Sequence, residues 1–118
     1  MDLKISEMME MQEELYQANK DHWETICPSN GKNKLLWMIE EIGEVASIIK
    51  KKSEDEIMHD ETIREAFIEE LADVLMYYND VLRCYKVSSK DISKAYKNKH
   101  QRNLQRQFVK EHEIYLKK

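Results

Sequence analysis

Glycine and proline are almost missing from the sequence, with two of the first and one of the second in 118 residues. Sandwiches and doubly wound sheets need many turns, and turns draw on those two residue types, so both architectures are excluded. Cys27 and Cys84 lack a CxxC partner or a histidine cluster. That argues against a thiolate metal site and fits two idle thiols in a reducing cytosol. No apolar run is long enough to span a bilayer. The opening residues, Met1-Asp2-Leu3-Lys4-Ile5-Ser6-Glu7, lack the apolar centre of a signal peptide, so a cytoplasmic location is expected. A net charge of −4, from 19 basic and 23 acidic residues, gives no general attraction for a nucleic acid polymer or an anionic membrane.

What is present suits long amphipathic helices: 36% charged and 42% apolar residues. The length predicts one domain over residues 1–118. Its core would be modest and would gain from pairing with a second copy. Four helices are predicted. The first covers about 5–23, with Ile5, Met8, Met9, Leu15 and Ala18 on its apolar face, and stops before Cys27-Pro28-Ser29-Asn30-Gly31. The second covers about 34–52, with Leu35, Met38, Ile39, Ile42, Val45, Ala46 and Ile49 recurring at helical spacing. The third covers about 62–85, opened by a Thr62/Glu65 capping box, with Phe67, Ile68, Leu71, Val74, Leu75, Tyr78 and Leu82 inward. Ser88 caps a fourth helix from Ser89 to at least Phe108, with Asp91 in its first turn and a helical tail beyond. The stretch 53–61 is polar and partly helical.

One pattern occurs twice. Ile39-Glu40-Glu41-Ile42-Gly43-Glu44-Val45 matches Ile68-Glu69-Glu70-Leu71-Ala72-Asp73-Val74 position by position. On a helical wheel, Glu41 and Glu44 fall on one flank of the second helix, about 60° apart. Trp37 and Ile48 share that flank. Glu70 and Asp73 fall on the equivalent flank of the third helix, beside Ala66 and Tyr77. Glu40 and Glu69 point elsewhere.

One ExxE pair is an ordinary solvent-face pattern. Two pairs in phase, each interleaved with aromatic and aliphatic residues, predict half-buried carboxylates. Facing acids in a partly dry groove would repel and take up protons unless a cation neutralised them. Mg²⁺, which prefers oxygen ligands and retains room for water and phosphate, suits this donor set, with Mn²⁺ as the alternative. No histidine lies on these flanks, which argues against zinc. Gly43 within a helix costs about 1 kcal/mol relative to alanine, and a close helix approach would justify it.

A cation cluster calls for an anionic substrate. Lys99, Asn103 and Arg106 recur at i, i+4, i+7 and share a face of the fourth helix. Lys99 and Arg106 can take phosphate oxygens, the arginine with two parallel hydrogen bonds. A solvated basic face is the alternative. Lys50, Lys51 and Lys52 close the second helix, where they also complement its dipole.

Glu41-Ile42-Gly43-Glu44 followed by Glu70-Leu71-Ala72-Asp73 resembles the paired ExxE and ExxD signature of the all-α NTP pyrophosphohydrolases. That superfamily includes MazG, dCTP pyrophosphatase, dimeric dUTPase and phosphoribosyl-ATP pyrophosphohydrolase. Lys99, Asn103 and Arg106 resemble the K-x3-N-x2-R element of the MazG and dCTP pyrophosphatase branch. The resemblance covers roughly residues 8–107. It implies a four-helix core completed as a homodimer or a homotetramer, and hydrolysis of a (d)NTP to the monophosphate and pyrophosphate. It implies that Glu41, Glu44, Glu70 and Asp73 hold Mg²⁺ and serve catalysis. Lys52 stands where dCTP pyrophosphatase has a phosphate-binding lysine, although Lys51 replaces the tryptophan that precedes it. Trp23 matches a tryptophan that helps enclose the base, and Trp37 could stack on one.

Two alternatives stay open: a phosphoribosyl-ATP pyrophosphohydrolase-like enzyme, and a helical dimerisation or regulatory module with incidental acids. The first helix, Trp23 and the Lys99-Asn103-Arg106 element fit the MazG branch better. Arg64-Glu65 with Glu69-Glu70 misses the spacing and glycines of a Nudix box. His22, His59, His100 and His112 show no ligand spacing.

Overall fold

The computed structural model describes residues 1–117, and these form helices joined by short connections. The order is α1 (Ile5–Asn19), a 3-10 turn (Pro28–Asn30), α2 (Gly31–Lys51), α3 (Glu54–His59), α4 (Glu61–Cys84) and α5 (Ser89–Lys117). The backbone divides into two compact units, one spanning Met1–Val87 and one from Ser88 onward. No described helix is long and apolar enough to cross a membrane.

Local chemistry fixes the helix ends. Glu7 Oε1 accepts from the Lys4 N–H at 2.8 Å and so secures the start of α1. Ser53 and Glu56 cap α3 reciprocally. Asp60, not Thr62, caps α4, accepting from the Ile63 N–H at 3.1 Å. The expected Thr62/Glu65 box is thus replaced, because the α3 turn delivers Asp60 with the extended backbone that an N-cap requires. α4 ends on Lys86, whose φ of 57° lets Val87 N–H reach back to the Leu82 carbonyl. Ser88 caps α5 as expected, and Asp91 completes a reciprocal box with it, both hydrogen bonds at 3.1 Å.

Within the first unit, α4 is the central rod, packed against α2, α1 and α3. Of the residues expected to face inward, Leu82 is buried and Met38, Val45, Phe67 and Val74 are half-buried, but most of the others are not. Ile39, Ile42 and Leu71 are 53%, 46% and 44% exposed, and Leu35, Ile49, Ile68, Leu75 and Tyr78 are exposed with them. Buried apolar side chains among the described residues are limited to Ile57, Leu82 and Cys84. The cause is geometric: α2 and α4 meet along the carboxylate flank, which turns the aliphatic stripes of both helices outward. Gly43 is also exposed, and a Cβ built there meets nothing within 4 Å among the described residues, so no close approach within its unit accounts for it. Gly31 does face such an approach. It has ordinary helical φ, and a Cβ there would collide with the Tyr85 ring.

Candidate functional site

Three tiers of side chains succeed one another where α2 and α4 meet. On α2 they are Glu41, Trp37 and Lys34, spaced so that each falls on the same helical flank. On α4 they are Glu70 with Asp73, then Tyr77, then Asp80. The helices run antiparallel, so Glu41 meets Glu70 and Asp73, Trp37 meets Tyr77, and Lys34 meets Asp80.

In the first tier, Glu41, Glu70 and Asp73 each offer a carboxylate oxygen, and the three lie within 4.8 Å of one another. All three residues are half-buried. The carboxyl of Glu70 beside it, then burial, then the charge of Asp73 hold Glu41 above the usual carboxylate range. Glu70 Oε2 is buried with no hydrogen-bond partner. An orphaned buried carboxylate oxygen facing two further acids is a donor set for a hard divalent cation. Glu44 stands apart from this group. It is exposed, although its charge helps to raise Glu41.

The second tier is aromatic. Trp37 and Tyr77 are both half-buried, and burial followed by the Glu41 and Asp73 charges pushes the Tyr77 hydroxyl up. Trp23 reaches the same place from the segment after α1. That segment is tied down by Asn33 Nδ2, which donates to both Glu24 carboxylate oxygens at 3.2 and 3.0 Å, and by Asn30 Nδ2, which donates to the Thr25 carbonyl at 2.8 Å.

The third tier holds a buried cation. Lys34 is 4% exposed, with Nζ 3.5 Å from Asp80 Oδ2. The same Nζ lies 5.7, 5.3 and 6.0 Å from the ring centres of Trp23, Trp37 and Tyr77. Asp80 Oδ1 accepts from Gln12 Nε2 and from Arg83, each at 3.1 Å, and Arg83 also pairs with Glu13. Each buried charge of this tier therefore has a partner, as burial in a low dielectric demands. The tiers line a cavity of about 640 Å³, within the range of small-molecule sites.

Sequence reasoning identified Glu41, Glu70, Asp73, Trp23 and Trp37 for this region and missed Lys34, Asp80 and Gln12. The signal was available: carrying the wheel one turn past Trp37 and Tyr77 reaches Lys34 and Asp80. Lys52 follows α2, is exposed, and is absent from the cavity lining. Lys99, Asn103 and Arg106 are exposed on α5, in the second unit, at spacing that gives them one face of that helix.

The MazG nucleotide pyrophosphohydrolase domain matches residues 30–105 of the chain. That span contains both carboxylate helices and the start of α5. No curated protein and no solved structure matches the chain significantly.

Proposed function

The chain belongs to the MazG nucleotide pyrophosphohydrolase domain family, and on that footing we propose that it hydrolyses a nucleoside triphosphate to the monophosphate and pyrophosphate with Mg²⁺. Nucleotide pyrophosphohydrolysis is what the domain implies in general; substrate and metal are the proposal. One observation carries it. Three carboxylates within 4.8 Å, one with an orphaned buried oxygen, adjoin an aromatic cavity large enough for a nucleoside.

Glu41, Glu70 and Asp73 would hold the metal, with Glu44 joining by rotation of its exposed side chain. Bound there, a divalent ion neutralises the carboxylates and the polyphosphate and polarises the phosphorus–oxygen bonds. The residues do the rest. The carboxylates orient a water towards the α-phosphorus and accept its proton. The water oxygen forms the new bond, the bond from the α-phosphorus to the bridging oxygen breaks, and pyrophosphate leaves. Trp23 and Trp37 enclose the base and exclude water. Lys52 is proposed as a phosphate contact on the family resemblance, and the same resemblance assigns phosphate binding to Lys99, Asn103 and Arg106, which share one face of α5.

The working form is a homo-oligomer whose building block is a homodimer. The support is the aliphatic stripes exposed on α2 and α4, since exposed apolar surface of this kind marks protein–protein contacts. A second copy presents the same stripes, so a two-fold contact would close a four-helix core from two helices of each chain.

Incubation with each (d)NTP and Mg²⁺, with pyrophosphate as readout, tests the activity. Glu41→Gln and Asp73→Asn should abolish release while the helical circular dichroism survives. Full activity in both variants would remove the site assignment. No cleavage of any nucleotide would favour a non-catalytic helical module.

A further inference from the structure

The Lys34 tier has no role in the chemistry just described. It lies seven residues from Glu41 along α2, about 10 Å at 1.5 Å per residue. That span is of the order that separates the α-phosphate of a nucleotide from the far edge of its base. With the phosphates at the carboxylates and the base between Trp23 and Trp37, Lys34 would meet the exocyclic group on that edge.

An ammonium has three donors and no acceptor. Lys34 turns one side to Asp80 at 3.5 Å, and its Nζ also lies over three aromatic rings, which attract the charge without supplying a good acceptor. Lys34 lines the cavity, so its remaining donors can take an oxygen from a ligand bound there. Asp80 is not free to read the opposite pattern, because Gln12, Arg83 and Lys34 already occupy its two oxygens. We propose that Lys34 is a specificity-determining residue that donates to the oxo group at pyrimidine C4 or purine C6. The site then takes uracil, thymine and guanine nucleotides in preference to those of cytosine and adenine. In the disfavoured bases an amino group stands at that atom and sets donor against donor. The proposal rests on reading the cavity as a nucleotide site.

Isothermal titration of the full chain with dUMP, dTMP, dGMP, dCMP and dAMP in Mg²⁺ tests base reading without turnover. The oxo bases should bind at least about tenfold tighter than the amino bases, as expected where a site is built to hydrogen-bond one group. Lys34→Gln retains an amide N–H towards Asp80 and can present either donor or acceptor to the base. It should bring the two groups of nucleotides to within a few-fold while the thermal midpoint stays close to wild type. Wild-type protein that binds dCMP or dAMP as tightly as dUMP and dGMP overturns the proposal, whatever the variant does. So does a folded Lys34→Gln that keeps the full preference. Preference in binding without pyrophosphate release from any triphosphate would remove the hydrolase reading and leave this one. Release without preference would do the reverse, and no binding of any nucleotide would remove both.

Discussion

Trp37 and Tyr77 face each other from α2 and α4 with ring centres 6.3 Å apart and planes inclined by 57°. The pair stands between the carboxylates and the Lys34–Asp80 contact, so a base entering the cavity must pack on at least one of these rings. Stacking on an aromatic side chain is worth about 1–3 kcal/mol per base. Trp37→Ala should therefore raise KM by about five- to 150-fold while the helical signal is retained. Steady-state pyrophosphate release across triphosphate concentrations reads this directly. An unchanged KM would move the base elsewhere.

Asp80 is the anion on which three polar side chains converge, and it is 5% exposed. Asp80→Ala leaves the Lys34 ammonium buried without a counter-charge. Breaking a buried pair in this way costs about 3–5 kcal/mol, read from urea unfolding. Lys34→Met combined with Asp80→Leu removes both charges and should lose much less than Asp80→Ala alone. Equal losses would mean that packing, not charge pairing, dominates here.

Glu41 gives the metal-free protein a pH signature. Its carboxyl titrates higher in the folded chain than in the unfolded one, chiefly because Glu70 stands beside it. Between the ordinary glutamate value of about 4.3 and the raised value, the folded chain holds more protons than the unfolded. This contribution to stability is complete below the ordinary value and is lost as pH rises through the raised one. Thermal midpoints of metal-free protein should fall over that window on the alkaline side. Mg²⁺ should flatten the fall by taking over neutralisation of the carboxylates, and Glu41→Gln should remove Glu41's share of it. A midpoint that rose with pH across the window would contradict the assignment.

The outward stripes of α2 and α4 give an assembly prediction. Ile39→Arg with Leu71→Arg places charge in both stripes, at positions 53% and 44% exposed in the single chain. Sedimentation should show wild type as a dimer or larger species and the double variant as a monomer of lower stability. A monomeric wild type at micromolar concentration would remove the two-fold core.

These stripes also show where the sequence stopped being informative. The spacing of Ile39, Ile42, Ile68 and Leu71 reveals that they share an apolar face, but periodicity does not say whether the same chain or a second copy covers it. The carboxylates were legible because Glu41 and Asp73 sit in a repeated heptapeptide beside Trp37 and Tyr77. Lys34 and Asp80 were not, because each alone reads as an ordinary charged residue near a helix end. Only the antiparallel register of α2 and α4 puts them in contact. The Asp60 cap was hidden by Thr62, an equally good capping residue two positions later, until the α3 turn selected between them.

The proposed activity requires that carboxylates from two helices form one divalent-cation site. Titration of Mn²⁺ into the protein, followed by loss of the free-ion electron paramagnetic resonance signal, tests it most directly. The wild type should bind the ion, and Glu70→Gln and Asp73→Asn should each weaken binding at least about tenfold, as loss of a charged oxygen ligand requires. Undiminished binding in both folded variants would show that the ion, if held at all, is held elsewhere.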